Sequence, residues 1–288
     1  MILTIEQALA WAKDQLELSD SPALDSRLLL CHALQCEQVY LLTWPDKTLG
    51  PEVLSQYQQM VAKRKTGHPV AYLLGYRDFW TQRLQVSPVT LIPRPETELL
   101  VEIALGLPLS NDAHVLDLGT GTGAIALALA SEKPDWQVTG VDVNPDAVLL
   151  AKANAVANQL KQVRFLPSNW FSALTGNQFA LIVTNPPYVE TASEYLQQGD
   201  VRFEPNRALV SGEDGLDDIR LIIAQSPNFL SANGWLAFEH GFNQHLAIAA
   251  MLAGEGFDNI QTFDDLNQLP RITLARLPAW DVCQQGNV

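Results

Sequence analysis

The stretch VLDLGTGTGA, residues 115–124, joins a run of apolar residues to three closely spaced glycines. This pattern predicts a buried strand that turns sharply into a helix, because glycine lets the backbone turn and approach a ligand without a Cβ in the way. Gly119, Gly121 and Ala124 also satisfy the G-x-G-x-x-A spacing of dinucleotide sites, where a helix N-terminus binds a pyrophosphate. The turn therefore predicts a cofactor site at the start of a helix and leaves open which cofactor it binds.

Two acidic residues near the turn bear on the identity of the cofactor. Asp142 ends the next apolar run, residues 138–142, where a carboxylate can accept both ribose hydroxyls of either NAD or S-adenosylmethionine. Asp117 precedes the first glycine, where an acidic side chain suits the ammonium and sulfonium groups of S-adenosylmethionine better than a pyrophosphate. The alternative is that the glycines only form a tight turn and that Asp142 caps the next helix. We predict S-adenosylmethionine as the cofactor, with S-adenosylhomocysteine as its product, bound by Asp117, Asp142 and the turn residues Gly119, Thr120, Gly121, Thr122 and Gly123.

Apolar runs alternate with helical patterns on both sides of this turn. Strands are predicted near residues 114–118, 137–141, 163–166, 179–184 and 234–239, followed by two more near 259–263 and 271–277. Such alternation predicts a parallel sheet covered by helices, whereas the last two strands leave no room for a helix and must pair as a hairpin. The predicted fold is α/β, of the class I S-adenosylmethionine-dependent methyltransferases: a Rossmann-like, mostly parallel seven-stranded sheet that ends in an antiparallel hairpin.

Three amphipathic helices are predicted before the sheet, and together they indicate a small helical bundle. The first begins at Thr4, where Gln7 can complete a capping box. The other two begin near Pro22 and Pro51, since proline is favoured in the first turn of a helix.

Between the bundle and the sheet, residues 70–74 and 83–86 have the composition of strands and are separated by turn residues, which predicts a hairpin. The predicted domains are a helical substrate-recognition domain at 1–68, a β-hairpin linker at 69–95 and the methyltransferase domain at 96–288.

The run Asn185-Pro186-Pro187-Tyr188 follows the predicted strand at residues 179–184, so it is expected at the ligand-binding edge of the sheet, beside the glycine turn. An amide or aromatic amino nitrogen is a weak nucleophile, because its lone pair is delocalised. The Asn185 side-chain oxygen and the Pro186 carbonyl can each accept one N–H of such a group, while Tyr188 offers a flat face for stacking. A rigid turn alone would explain the prolines but not the flanking Asn and Tyr. The run predicts methyl transfer to a planar –NH2 group, with Asn185, Pro186 and Tyr188 as catalytic residues and all four residues binding the substrate.

The composition narrows the class of partner and the compartment. A formal charge of −14 disfavours free nucleic acid, because phosphate backbones are bound chiefly by Lys and Arg. Cys31, Cys36 and Cys283 suggest no disulfide framework, and the sequence shows neither a signal peptide nor a membrane-spanning run. The acidic run at 213–218 is interpreted as surface or a helix start rather than a metal site. We expect a cytoplasmic monomer that binds no metal and no membrane.

Runs of the form [DNS]-P-P-[YFW] occur in adenine-N6, cytosine-N4 and protein-glutamine methyltransferases, so this run alone does not identify the substrate. Along nearly its whole length, however, the chain resembles the bacterial release-factor glutamine methyltransferases, the HemK/PrmC family. The resemblance is carried by GYRDF at 75–79, LIPRPETE at 91–98, the glycine turn, residues 185–188, FEP at 203–205, Ala208-Leu209 and Gly215-Leu216. Residues 93–98 and the helical N-terminal domain are the parts most specific to that family.

The resemblance implies a reaction and a set of contacts. The reaction is N5-methylation of the glutamine in the Gly-Gly-Gln loop of class I peptide chain release factors, which would be the protein substrates. The contacts are those of residues 119–123, Asp142, Trp170 and Asn185 with the cofactor, and of residues 185–188 with the glutamine.

The sequence leaves three points open. Trp170 could cover the adenine, but either it or its neighbour Phe171 could instead belong to the core. The long polar stretch at 190–215 is expected to grip the substrate, since long loops are often functional. The alternative activities are those of a ribosomal-protein glutamine N5-methyltransferase and of an adenine-N6 nucleic-acid methyltransferase.

Overall fold

The structure is a computed structural model that describes residues 3–279, so Cys283 and the end of the predicted methyltransferase domain lie outside the described residues. The chain divides into two compact units. Among the described residues, the helical unit comprises residues 3–76 together with Glu194–Phe203, and the sheet unit comprises Arg77–Ser193 and residues 204–279. Within residues 3–279, every helix is too short or too polar to span a membrane.

The α-helices of the helical unit meet in one apolar core. They are α1 (Ile5–Gln15), α2 (Pro22–Leu34), α3 (Gln38–Thr43), α4 (Pro51–Lys65) and α5 (Val70–Leu74). The predicted capping box is confirmed: the Thr4 hydroxyl accepts from the Gln7 amide, and the Gln7 side chain accepts from the Thr4 amide. Tyr57 lies fully buried in the core, and its hydroxyl donates to the Ser26 carbonyl at 3.0 Å.

Residues 70–74 form a helix where the sequence predicted a strand, so that prediction was wrong. Helix α5 follows Pro69 and ends at Gly75, whose φ of 79° is left-handed. A five-residue apolar run fits a strand and a buried helical turn equally well, so periodicity could not decide between them. The hairpin lies further along the chain, where β1 (Tyr76–Phe79) pairs with β2 (Gln82–Gln85).

The polar stretch at 190–215 divides between the units. Its segment Glu194–Phe203 belongs to the helical unit, in which Asp200 pairs with Arg64 at 2.7 Å. Arg64 is largely buried and also binds Asp25 at 2.7 Å. A buried guanidinium that is held by two carboxylates fixes this segment against α4. That the stretch grips a substrate remains a prediction.

A seven-stranded sheet forms the centre of the sheet unit. Its strands are β3 (His114–Leu118), β4 (Gln137–Asp142), β5 (Arg164–Pro167), β6 (Phe179–Thr184), β7 (Leu230–Glu239), β8 (Asp258–Asp264) and β9 (Pro270–Arg276). They lie in the order β5-β4-β3-β6-β7-β9-β8, and only β9 runs antiparallel to its neighbours β7 and β8. This is the predicted class I architecture, with the predicted terminal hairpin.

Helices cover both faces of this sheet and create two separate cores. They are α6 (Glu98–Leu105), α7 (Ala124–Glu132), α8 (Pro145–Ala157), α9 (Asp217–Gln225) and α10 (His245–Gly254). Side chains of α6, α7 and α8 form one core with the sheet, while those of α9 and α10 form the other. Burial on both faces explains why the central strands β3 and β6 are mostly apolar.

The strand order reverses between β3 and β6, and this reversal creates the crevice in which the site lies. Strand β3 pairs with β4 on one side and with β6 on the other. The ends of β3 and β6 are level, with Leu118 opposite Thr184, and the Thr184 hydroxyl donates to the Leu118 carbonyl at 2.7 Å. The glycine turn and the Asn-Pro-Pro-Tyr run therefore leave the sheet side by side.

Candidate active site

A cavity opens at the carboxyl ends of β3, β4 and β6. The predicted site residues that line it are Gly119, Thr120, Gly121, Thr122, Asp142, Trp170, Asn185 and Pro187. Asp117, Gly123, Pro186 and Tyr188 were also predicted as site residues but do not line it. Eight of the twelve predicted site residues therefore meet at one cavity.

The glycine turn has the backbone shape that the sequence predicted. Gly119, Gly121 and Gly123 have φ values of 69°, 54° and 86°, a region that side chains disfavour. A Cβ on Gly123 would lie 3.2 Å from the Phe165 ring, so this glycine also permits close packing of the turn on the sheet. Gly123 is the N-cap of α7, which places the N-terminus of that helix at the cavity.

Asp142 joins the turn to the end of β4. One carboxylate oxygen accepts from the Gly121 amide at 3.0 Å and the other accepts from the Asn144 amide at 2.8 Å. Burial raises the pKa of Asp142 above the ordinary aspartate value, although these two bonds and the charge of Arg207 oppose the rise. The carboxylate is fixed at the cavity wall with acceptor capacity to spare, as binding of ribose hydroxyls requires.

Asp117 supports the turn from beneath. Its Oδ2 accepts from the Thr120 hydroxyl at 2.6 Å and from the Ala126 amide at 3.2 Å, while its buried Oδ1 has no hydrogen-bond partner among the described residues. Burial raises the pKa of this carboxyl to about 7. The structure therefore shows Asp117 holding Thr120 and α7, and its direct contact with a cofactor remains a prediction.

The two neighbouring aromatic residues have different places. Phe171 is buried and stacks on Phe229, with ring centroids 4.5 Å apart. Trp170 lines the cavity, and its ring lies 3.5 Å from where a Cβ on Gly119 would be. Its indole N–H donates to Asp218 at 3.2 Å. Phe171 is therefore the core residue, and Trp170 is free to cover a planar ligand group.

Asp218 was not predicted as a site residue. It lies in the first turn of α9, as the interpretation of the acidic run as a helix start allowed, but it also lines the cavity. The Ser211 hydroxyl donates to its carboxylate at 2.7 Å. No signal in the sequence distinguished Asp218 from its exposed neighbour Asp217, because only the tertiary contact with Trp170 gives it this role.

Contacts from distant parts of the chain hold the Asn-Pro-Pro-Tyr run. The Asn185 side-chain N–H donates to the Thr97 hydroxyl at 3.1 Å, and the Thr97 hydroxyl donates to Glu239 at 2.6 Å. The Tyr188 hydroxyl donates to the other Glu239 oxygen at 3.0 Å. Thr97 immediately precedes α6, and Glu239 is the last residue of β7. Neither residue was predicted to belong to the site.

A second buried carboxylate fixes the segment before Thr97. Glu204 is fully buried at its side chain and pairs with Arg94 at 2.7 Å. Arg94 and Arg207 line the cavity, as do Asp142 and Asp218, so its wall is formed by residues of both charges. The segments LIPRPETE and FEP, which carried part of the sequence resemblance, thus meet through this ion pair.

His240 has a structural environment. Its ring nitrogens contact the Gly241 carbonyl and the Thr273 hydroxyl, and burial lowers its pKa to about 4. It does not line the cavity.

Both parts of the chain are similar to known proteins. Residues 7–75 match the family model "PrmC N-terminal domain", and residues 95–202 match "Methyltransferase small domain". The chain is 52% identical to the release factor glutamine methyltransferase of Vibrio cholerae over 96% of this chain and 98% of that one. Its identity to the Escherichia coli enzyme of the same name is 46%, over 92% of this chain and 96% of that one.

Solved structures support the fold. A Thermus thermophilus 16S rRNA N2 G1207 methyltransferase, in complex with AdoMet and guanosine, superposes with a TM-score of 0.52 at 25% identity, over 70% of this chain and 49% of that one. A methyltransferase from Pyrococcus furiosus superposes with a TM-score of 0.53 at 16% identity, over 78% of this chain and 99% of that one. By its similarity to curated relatives over nearly its whole length, the chain belongs to the family of release factor glutamine methyltransferases.

Proposed function

We propose that this protein transfers the methyl group of S-adenosylmethionine to the side-chain amide nitrogen, N5, of the glutamine in the Gly-Gly-Gln loop of class I peptide chain release factors. The observation that carries the proposal is the position of Asn185, which lies on the cavity wall beside the glycine turn and is held there by Thr97. Membership of the family of release factor glutamine methyltransferases supports a release factor as the protein substrate.

The cavity residues fit S-adenosylmethionine. The carboxylate of Asp142 can accept from the ribose hydroxyls, and the Trp170 ring can cover the adenine. The left-handed glycines Gly119 and Gly121 leave room for the methionine part to lie close to the backbone. When bound, the cofactor supplies a methyl group on a positively charged sulfur.

The residues of the Asn-Pro-Pro-Tyr run orient the nucleophile. The Asn185 side-chain oxygen and the Pro186 carbonyl each accept one N–H of the glutamine amide, which fixes the plane of the –NH2 group and aims the nitrogen at the methyl group. As the nitrogen gains positive character in the transition state, both acceptors bind it more strongly. The N–CH3 bond would form as the S–CH3 bond breaks, S-adenosylhomocysteine would leave, and the nitrogen would release one proton to water. Catalysis by these residues is therefore stabilisation by fixed dipoles.

A protein substrate suits the charge of this chain better than a nucleic acid does. The formal charge of −14 would repel a phosphate backbone, which argues against the adenine-N6 alternative. A glutamine of a ribosomal protein could donate to the same two acceptors, so only membership of the family favours the release factor as substrate. We further expect a monomer that acts in the cytoplasm.

Transfer of label from labelled S-adenosylmethionine tests the proposal. The acceptors are a class I release factor, its Gln→Ala loop variant, a ribosomal protein and duplex DNA. We expect label on the intact release factor only. Equal labelling of the Gln→Ala variant would exclude the glutamine as the target, and label on DNA alone would support the adenine-N6 alternative.

A further inference from the structure

The orientation of the Asn185 amide is set by residues outside its own motif. An Asn side chain can rotate so that its oxygen and nitrogen exchange places at almost no cost in shape, so only its hydrogen-bond partners decide which atom faces the substrate. To accept an N–H of the target amide, the Asn185 side-chain oxygen must face the cavity. In the structure the other end, the –NH2 group, faces Thr97 at 3.1 Å.

A hydroxyl carries one hydrogen, and the structure shows where that of Thr97 goes. Its oxygen lies 2.6 Å from Oε2 of Glu239, and a carboxylate can only accept. Because this hydrogen points at Glu239, the Thr97 oxygen can only accept from Asn185. A rotated Asn185 would place its oxygen against an oxygen with no hydrogen between them, so the –NH2 group must face Thr97.

Glu239 also fixes the direction of the Tyr188 hydroxyl, which donates to its second oxygen at 3.0 Å. Glu239 is 1% exposed, so water does not compete for these bonds. Besides these two donors, the charged groups that act on it are Arg271 and Glu96. One buried carboxylate thus sets the hydrogen-bond direction of both polar side chains of the Asn-Pro-Pro-Tyr run.

We propose that Thr97 and Glu239 are positioning residues that fix the Asn185 oxygen toward the target amide, through a one-way chain from Asn185 to Thr97 to Glu239. The proposal rests on the proposed function and deepens it, since the direction of this chain selects a substrate group that donates. A group that only accepts would meet the Asn185 oxygen without a hydrogen.

A matched pair of substitutions at Thr97 tests this chain of hydrogen bonds. Thr97→Val keeps the shape and removes the hydroxyl, whereas Thr97→Ser keeps the hydroxyl. We expect kcat for methylation of the release factor to fall roughly tenfold or more in Thr97→Val, the effect of one lost oriented hydrogen bond, and to stay within about threefold in Thr97→Ser. The dissociation constant for S-adenosylmethionine should stay within about twofold in both, because the bond acts on the substrate side.

Reversing the direction of these hydrogen bonds provides the sharper test. In Asn185→Asp two carboxylates compete for the single Thr97 hydrogen, so turnover should fall. Adding Glu239→Gln supplies an –NH2 group that donates to Thr97, whose hydrogen can then turn to Asp at position 185. We expect the double variant to exceed Asn185→Asp in kcat by about fivefold or more, a recovery that independent structural damage would not produce.

The outcomes separate this inference from the proposed function. If the wild-type enzyme fails to label the release factor, the proposed function is wrong. If it labels the release factor while Thr97→Val keeps full kcat, or the double variant is no better than Asn185→Asp, only the positioning chain is wrong. Melting temperature with S-adenosylmethionine reports folding, and if Thr97→Val does not fold, the reversal pair decides.

Discussion

The two halves of the site are built in different ways. The cofactor half is local: Asp117, Thr120, Gly121 and Asp142 hold one another within two consecutive strand-and-turn segments. The substrate half is assembled from distant positions, since Asn185 depends on a threonine 88 residues away. The bonds that shape the cofactor turn therefore lie within the turn and the strand beside it, whereas the orientation of the loop depends on Thr97 before α6 and on Glu239 at the end of β7.

Removal of the Asn185 side chain should separate the halves most strongly. We expect Asn185→Ala to lower kcat by about 100- to 1,000-fold, as loss of a fixed dipole in a catalytic site does, while S-adenosylmethionine binds with nearly unchanged affinity. Isothermal titration with the cofactor and single-turnover methylation measure the two quantities. Retained turnover would show that the Asn185 side chain does not orient the target amide.

Removal of the Asp142 side chain should have the opposite signature. Asp142→Ala loses the acceptors for the ribose hydroxyls, so the dissociation constant for S-adenosylmethionine should rise roughly 10- to 100-fold, while kcat at saturating cofactor changes little. Asp146→Ala removes an exposed carboxylate from the next helix and serves as the control. If both variants weaken binding equally, general loss of negative charge explains the effect instead of the ribose contact.

The pH dependence of turnover should report Glu239 on the substrate side. Burial raises the pKa of this carboxyl above the ordinary glutamate value, whereas the Thr97 and Tyr188 bonds lower it. The carboxylate form is required, so kcat/KM should fall as the pH drops through this raised pKa. Tyr188→Phe removes a bond that favours the carboxylate, so the acid limb should move to higher pH. An unmoved acid limb would place the titrating group elsewhere.

The smallest effect is expected for Asp117, which lies beneath the glycine turn, and it concerns the stability of the fold. The pKa of Asp117 is about 7 in the folded chain, against an ordinary value of 3.8, so the folded state binds more protons between these values. Wild-type stability contributed by this group is present at low pH and is lost as the pH rises to about 7. The melting temperature of Asp117→Asn relative to wild type should therefore increase from pH 5 to pH 8. A constant difference would mean that Asp117 titrates normally.

The contrast between the halves also explains how much the sequence could predict. The glycine turn, Asp142 and the strands around them follow from local patterns, so they could be predicted from the sequence. The short run at 70–74 could not, because five apolar residues carry no period that separates helix from strand. Thr97, Asp218 and Glu239 could not be selected either, since their roles arise from contacts between residues remote in sequence.

Mass spectrometry of a release factor after incubation with this protein and S-adenosylmethionine is the decisive measurement for glutamine methylation. We expect one added methyl group on the peptide that contains the Gly-Gly-Gln loop, located on the glutamine side chain and absent from the Gln→Ala variant. An unmodified loop peptide in the presence of a folded, cofactor-binding enzyme, or a methyl group on any other residue, would contradict it.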